Sequence, residues 1–253
     1  MNDKNETVAD LTAISEVDLR IYRAQGSRLK SIGANAIVAD HRRKAKWYAP
    51  RLNCFLPSSK DAFIVDVPCG EGNILFYLKQ LGYRRVTGYE IDPDRVKLAN
   101  ELQLDAIQAN ALEIVRTLHS VDTFFCIDFI EHISKDAAIG FLLQVGRSLS
   151  PQGRLILRTP VTDSPRETLH LHNDFTHKWA VNSEVWHTIA TATGFRLIAT
   201  VDERPVADTL VHTCMRGAFA VAKLFYTAKC RVMSLPVPGA WTPSAWFIME
   251  KSA

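Results

Sequence analysis

Short unbroken apolar runs and longer mixed stretches alternate along most of this chain. Ala62-Phe63-Ile64-Val65 and Thr123-Phe124-Phe125-Cys126-Ile127 predict strands covered on both faces, because a strand with one wet face would alternate apolar and polar residues. Asp92-Pro93 starts a helix: an acid at the N-cap and proline at the first helical position satisfy two local preferences. Asn182 caps a second helix over Ser183 to Thr193, which stops at Gly194 and passes into a strand over 195–200. Ala245 to Glu250 predicts a last strand returning antiparallel to that one. The fifty or so residues before the first strand read as helices, with Leu11, Ile14, Leu19 and Ile21 on one stretch and Ile37, Val38, Trp47, Tyr48 and Leu52 on the next. Gly26-Ser27 and Gly33 are the expected breaks between them.

An insertion from about Val206 to Pro243 separates the last two strands. At 100° per residue, His212, Arg216, Lys223, Thr227 and Arg231 gather on one side of a helix, with Met215, Phe219, Val221, Leu224, Phe225, Cys230 and Val232 over the rest. Two readings are open: an apolar face packed on the domain or on a twin subunit, and a basic amphipathic helix resting on a membrane surface. The 253 residues suffice for one sizeable α/β core with additions, and a net charge of +3 gives no footprint for nucleic acid. Five cysteines without C-x-x-C spacing argue against a disulfide framework and a zinc knuckle, and fit a reducing compartment. Met1 to Asp10 is polar without an apolar signal core, so the expected location is cytoplasmic, with the inner membrane surface as an extension.

The chemistry concentrates in Ile64-Val65-Asp66-Val67-Pro68-Cys69-Gly70-Glu71-Gly72-Asn73 and Val86-Thr87-Gly88-Tyr89-Glu90-Ile91-Asp92. A buried strand entering a glycine turn and helix, with an acid closing the next strand, is how open α/β sheets hold a nucleoside. Glu90 lies 20 residues beyond Gly70, the separation one β-α-β unit imposes, and its carboxylate can accept from both ribose hydroxyls. Pro68 stands where a dinucleotide fold wants its first glycine, and Glu71 would repel phosphate. Asp66 suits a cationic amino or sulfonium group better than an anion.

These residues resemble the first motif of class I S-adenosylmethionine-dependent methyltransferases. Further segments extend the likeness in order over 62–160: Ala106 to Ala111, then Asp128-Phe129-Ile130-Glu131-His132-Ile133, similar to the family's D-x-x-E-H-I segment, then Leu149 to Pro160. The resemblance implies a Rossmann-like α/β fold: a seven-stranded, mostly parallel sheet with an antiparallel last strand, helices on both faces, an N-terminal helical cap over 1–55 and a catalytic domain over 56–253 with the helical insertion. It implies S-adenosylmethionine as cofactor, held by Asp66, Gly70, Gly72, Glu90 with Ile91, Asn110 with Ala111 at adenine, and Asp128 on the methionyl side.

Methyl transfer to a hydroxyl is helped by a base with a pKa near working pH, and histidine starts at about 6.5. His132, beside Glu131, follows the fourth strand. A second group, His170, His172, Asp174 and His177, reads as a base with an orienting acid, Asp174 beside His177, ahead of a zinc site, and no metal is expected. The D-F-T-H segment over 174–177 is similar to one in sugar-modifying bacterial methyltransferases, which points to a glycan or glycolipid hydroxyl as acceptor. Rival readings are a small-molecule enzyme for a phenol or quinone precursor and a non-catalytic binding subunit. A homodimer is compatible with all three.

Overall fold

Alternate side chains of the central strands divide the core in two. The computed structural model describes residues 16–30, 34–163, 174–204, 206 and 209–252. Seven strands run β1 (Phe63–Asp66), β2 (Arg85–Glu90), β3 (Ala106–Gln108), β4 (Val121–Ile127), β5 (Leu149–Pro160), β6 (Phe195–Asp202) and β7 (Ser244–Lys251), in the spatial order β3-β2-β1-β4-β5-β7-β6. Val65 on β1, Phe124 and Cys126 on β4, Leu155 and Leu157 on β5, and Phe247 and Met249 on β7 enter one buried cluster. Their neighbours Ile64, Phe125, Ile156, Trp246 and Ile248 enter a second on the opposite face. This is the period-two consequence of unbroken apolar runs.

Helices cover both faces. α2 (Ala34–Leu52) and α3 (Asn73–Gln80) pack Tyr48, Leu52, Ile74, Tyr77 and Leu78 on one. α6 (Lys135–Ser148) and α7 (Ser183–Ala192) pack Phe141, Leu142, Val145 and Trp186 on the other. α4 (Pro93–Glu101) is capped by Asp92, which accepts from the Asp94 amide, and α7 by Asn182, which accepts from Val185. The first four strands and β5 are parallel, and β7 is antiparallel to both β5 and β6. Strand order therefore reverses between β1 and β4, where Asp66 is in register with Gly88 on one side and Phe125 on the other. Such a switch point opens a crevice at the carboxyl edge of the sheet.

Two expectations need correction. The helix α1 (Glu16–Lys30) runs straight through Gly26-Ser27, since a single glycine costs a helix only about 1 kcal/mol and neighbouring helix formers outweigh it. Leu11, Ile14 and Gly33 lie outside the described residues. The insertion does form a helix, α8 (Leu210–Val232), but it turns its mixed face inward. Phe219, Lys223, Tyr226, Thr227 and Cys230 are at least partly covered, with the Lys223 ammonium 4.9 Å from the Trp241 ring centre. Leu210, Val221, Leu224, Phe225 and Val232 are left in solvent, Phe225 at 71% exposure. No helix among the described residues is long and apolar enough to cross a membrane.

Candidate active site

The turn after β1 carries Gly70 at φ +53° and Gly72 at φ +87°, backbone that residues with a Cβ adopt at a cost. The Val67–Pro68 peptide is cis. Pro68 is tolerated because the amides on either side carry the bonding: Val67 donates to Phe125 and Cys69 to Tyr89. Gly72 differs from its expected role. A Cβ there would stand 2.6 Å from Leu104 Cδ1, so this glycine lets the turn pack on the layer behind it and is not part of the cavity wall.

A cavity of about 570 Å³ lies along the carboxyl edge, lined among others by Tyr22, Asp66, Gly70, Glu90 and Ile91 at one end and by Asp128, Glu131, His132, Thr176 and His177 at the other. Glu90 is fully buried. Its Oε2 accepts from the Gly70 amide at 2.9 Å and from the Tyr22 hydroxyl at 3.0 Å, and its Oε1 accepts from the Asp92 amide at 2.9 Å. Tyr22 thus occupies an acceptor site of Glu90 beside the cavity. Arg95 lies over the Tyr22 ring at 4.4 Å and donates to Glu71 at 2.8 Å. Burial tends to raise the Glu71 carboxyl, but Arg95 and Lys44 overcome it and hold it below its ordinary value.

Asp66 is enclosed, and its Oδ1 has no partner. Burial, then the charge of Glu90, pushes its carboxyl well above the ordinary aspartate value. An orphaned buried acid facing a cavity fits a cationic ligand group, which would supply the missing donor and counter-charge. The donor set thus fits a nucleoside carrying a cationic centre. Asn110 does not line the cavity; its side-chain oxygen accepts from the Leu112 amide and caps α5 (Ala111–Ile114), leaving Ala109 and Ala111 on the wall. Asp128, at φ +49°, pairs with Arg158, which also holds Glu203.

At the other end, Ile130–His132 forms a short 3-10 turn that brings Glu131 inward. The Lys178 amide donates to the Glu131 carbonyl at 2.8 Å and the Trp179 indole to the Ile133 carbonyl at 2.8 Å, tying 130–133 to 174–179. The His132 and His177 rings stand 4.7 Å apart. Asp174 Oδ1 accepts from the Thr176 amide at 2.9 Å and from its hydroxyl at 2.6 Å. The Thr176 hydroxyl therefore gives its one proton to Asp174 and accepts from His132 Nδ1 at 2.8 Å. This assigns the lone pair of His132 to Nε2, and the acid expected beside His177 bonds through Thr176 to His132. Burial, then His177, lowers the His132 pKa. Burial, then Asp128, pushes Glu131 up to about 8. His170 and His172 lie outside the described residues. Tyr22 and Arg95 escaped the sequence reading because each joins the site across tens of positions with no motif of its own; Thr176 stands inside the D-F-T-H segment, but its bond to His132 spans 44 positions.

Comparison with known proteins places the geometry. The family model described as a methyltransferase domain matches residues 39–200. The tRNA U34 carboxymethyltransferase of Cellvibrio japonicus is 25% identical over 167 residues, 63% of this chain and 50% of the relative. Its Vibrio cholerae counterpart is 25% identical over 186 residues, 67% of this chain and 55% of the relative. The chain spans about half the length of these curated relatives. An S-adenosylmethionine-dependent methyltransferase from Archaeoglobus fulgidus superposes with a TM-score of 0.60 at 20% identity, covering 83% of this chain and 94% of that one, a likeness of fold.

Proposed function

The chain belongs to the methyltransferase domain family, and we propose that it is a class I S-adenosylmethionine-dependent enzyme that methylates a sugar hydroxyl of a glycan or glycolipid intermediate. The observation that carries this reading is His132, half-buried at the far end of the cavity, oriented by Thr176 and Asp174, with Nε2 free to take a proton. S-adenosylmethionine, when bound, supplies a methyl group on a cationic sulfur. Asp66 would meet its charged amino end, Glu90 would exchange the Tyr22 hydroxyl for the ribose, Ile91 and Ala111 would hold the adenine, and Asp128 would hold the methionyl side. His132 Nε2 would take the proton of the acceptor hydroxyl as the methyl carbon passes from sulfur, which leaves as a neutral thioether, to the acceptor oxygen, with His177 the neighbouring alternative. Asp174 and Thr176 are positioning residues.

The acceptor end favours a sugar over a phenol because Glu131, His132, Thr176 and His177 offer it hydrogen-bonding groups, where a phenol would be held by apolar walls. The curated relatives suggest a second reading, transfer to tRNA of a group bearing an extra carboxylate. Two features weigh against it: the cavity arginines, Arg95 and Arg158, already face Glu71, Asp128 and Glu203, and a net charge of +3 supplies little for a polyanion. The exposed apolar face of α8, with Arg216, Lys229 and Arg231 and no acid in the helix, supports contact with an anionic membrane surface at which a lipid-linked acceptor would be met.

The test is a screen with methyl-labelled cofactor against sugar nucleotides, lipid-linked glycans, phenols and tRNA, read by mass spectrometry. Label is expected in the sugars, and His132→Asn should cut kcat by about 100-fold with cofactor affinity held within about twofold. Label in phenols or tRNA alone would refute the sugar reading.

A further inference from the structure

We propose that Glu131, His132 and His177 form a binding site for one divalent transition-metal cation, open toward the part of the cavity where the acceptor oxygens sit. The proposal deepens the hydroxyl-transfer reading and rests on it only for the identity of the outer ligands: with the cation bound, His132 Nε2 is a ligand and not the base, and the cation would acidify the acceptor hydroxyl in its place, the proton leaving to solvent.

One ligating atom from each of the three side chains can be chosen so that all lie within 4.8 Å of one another. Around a metal held at about 2.1 Å, tetrahedral ligand atoms are about 3.4 Å apart, so modest side-chain rotations close the set. The second observation is Glu131 itself. It is 1% exposed, its Oε2 accepts from the Thr159 hydroxyl at 3.1 Å, and its Oε1 has no partner. The one ion-pair contact recorded for it among the described residues is His177 Nε2, at 4.0 Å, too far for a hydrogen bond. A buried, unpartnered carboxylate oxygen 4.0 Å from one imidazole nitrogen, with a second imidazole in the same group, is a ligand set lacking its centre.

The surroundings match what metal-bound histidines require. A ligating imidazole usually donates its other N–H to a carboxylate or a group bonded to one, which fixes the tautomer. His132 does this through Thr176 to Asp174, which presents Nε2 as the ligating nitrogen. The bonds from Lys178 and Trp179 into 131–133 hold the two ligand-bearing segments together without the metal. Two imidazoles and one carboxylate suit zinc, manganese, iron or cobalt, whereas magnesium and calcium prefer oxygen throughout. Three protein ligands leave positions open, as in catalytic metal sites. An acceptor with two adjacent hydroxyls would fill them as a chelate, which narrows the substrate class to a vicinal diol.

The experiment is Mn²⁺ titration of the chelator-stripped full chain, followed by electron paramagnetic resonance, and Zn²⁺ titration by calorimetry, each with S-adenosylhomocysteine present. One cation per chain is expected, and His132→Asn and His177→Asn should each weaken binding by at least about 30-fold, with Asp174→Asn weakening it by about 10-fold. Circular dichroism and S-adenosylhomocysteine affinity verify that each variant is folded; should one fail, the others carry the test. The proposal is overturned if wild-type protein that binds S-adenosylhomocysteine shows no saturable Mn²⁺ or Zn²⁺ binding up to about 1 mM. Binding indifferent to both histidine changes overturns it equally. Transfer to sugar hydroxyls at full rate in metal-free protein would sink the cation site and leave the hydroxyl reading standing. Mapped cation binding without any sugar product would do the reverse.

Discussion

Asp66 is the residue whose chemistry the fold disturbs most plainly. Enclosed and unpartnered, it keeps its proton in the folded chain at pH values where an unfolded aspartate has lost it. A folded state that binds more protons loses stability as pH rises. The penalty therefore begins above the unfolded value of about 3.9 and grows until the folded carboxyl ionises. Wild-type melting temperature should fall relative to Asp66→Asn as pH rises above about 4 without cofactor, and a difference independent of pH would show that Asp66 is charged in the empty protein. Asp66, Gly70 and Glu90 were legible in the sequence because one β-α-β unit fixes their separation. Tyr22 was not, since it reaches Glu90 over 68 positions. Neither was the role of Asn110, whose residue type suits both adenine and a helix cap, and here the cap takes the oxygen.

Among the elements, α8 shows where periodicity stops being informative. A helical wheel separates its basic from its apolar side but does not say which side meets the protein. Aromatic stacking decides it: Tyr226 and Lys223 settle on Trp241, and Arg204 lies over Phe219. This turns Leu224 and Phe225 outward. Replacing both by aspartate should lower binding to phosphatidylglycerol vesicles by at least about tenfold, measured by co-sedimentation, with helicity by circular dichroism retained. A concentration-dependent dimer abolished by the same change, without vesicle binding, would assign the face to a second copy. The strands were read more securely than this helix because parallel strands buried on both faces leave no such choice. Likewise α1 passes Gly26-Ser27 because breaker residues set a local cost that the rest of a helix can outweigh.

Across the whole molecule, the sheet order and the core clusters stand without α1, none of whose described side chains enters them. A chain beginning at residue 34 should keep its melting temperature within about 4 °C, since less than about 1 kcal/mol of core burial is removed. It should still bind cofactor, with dissociation faster by about tenfold because Asp18, Leu19 and Tyr22 no longer close the cavity. Stopped-flow fluorescence would measure this, and an unchanged off-rate would mean that α1 does not retain the ligand. The helix also touches both ends of the crevice. Tyr22 bonds Glu90, and Asp18, one turn away on the same face, pairs with Lys178 at 3.1 Å, beside the segment that carries Thr176 and His177. A nucleoside arriving at Glu90 would displace one foot of a stiff rod whose other foot rests on the acceptor loop, so the two substrates should enter in a fixed order, donor before acceptor, and product-inhibition patterns of random addition would show that the rod couples nothing.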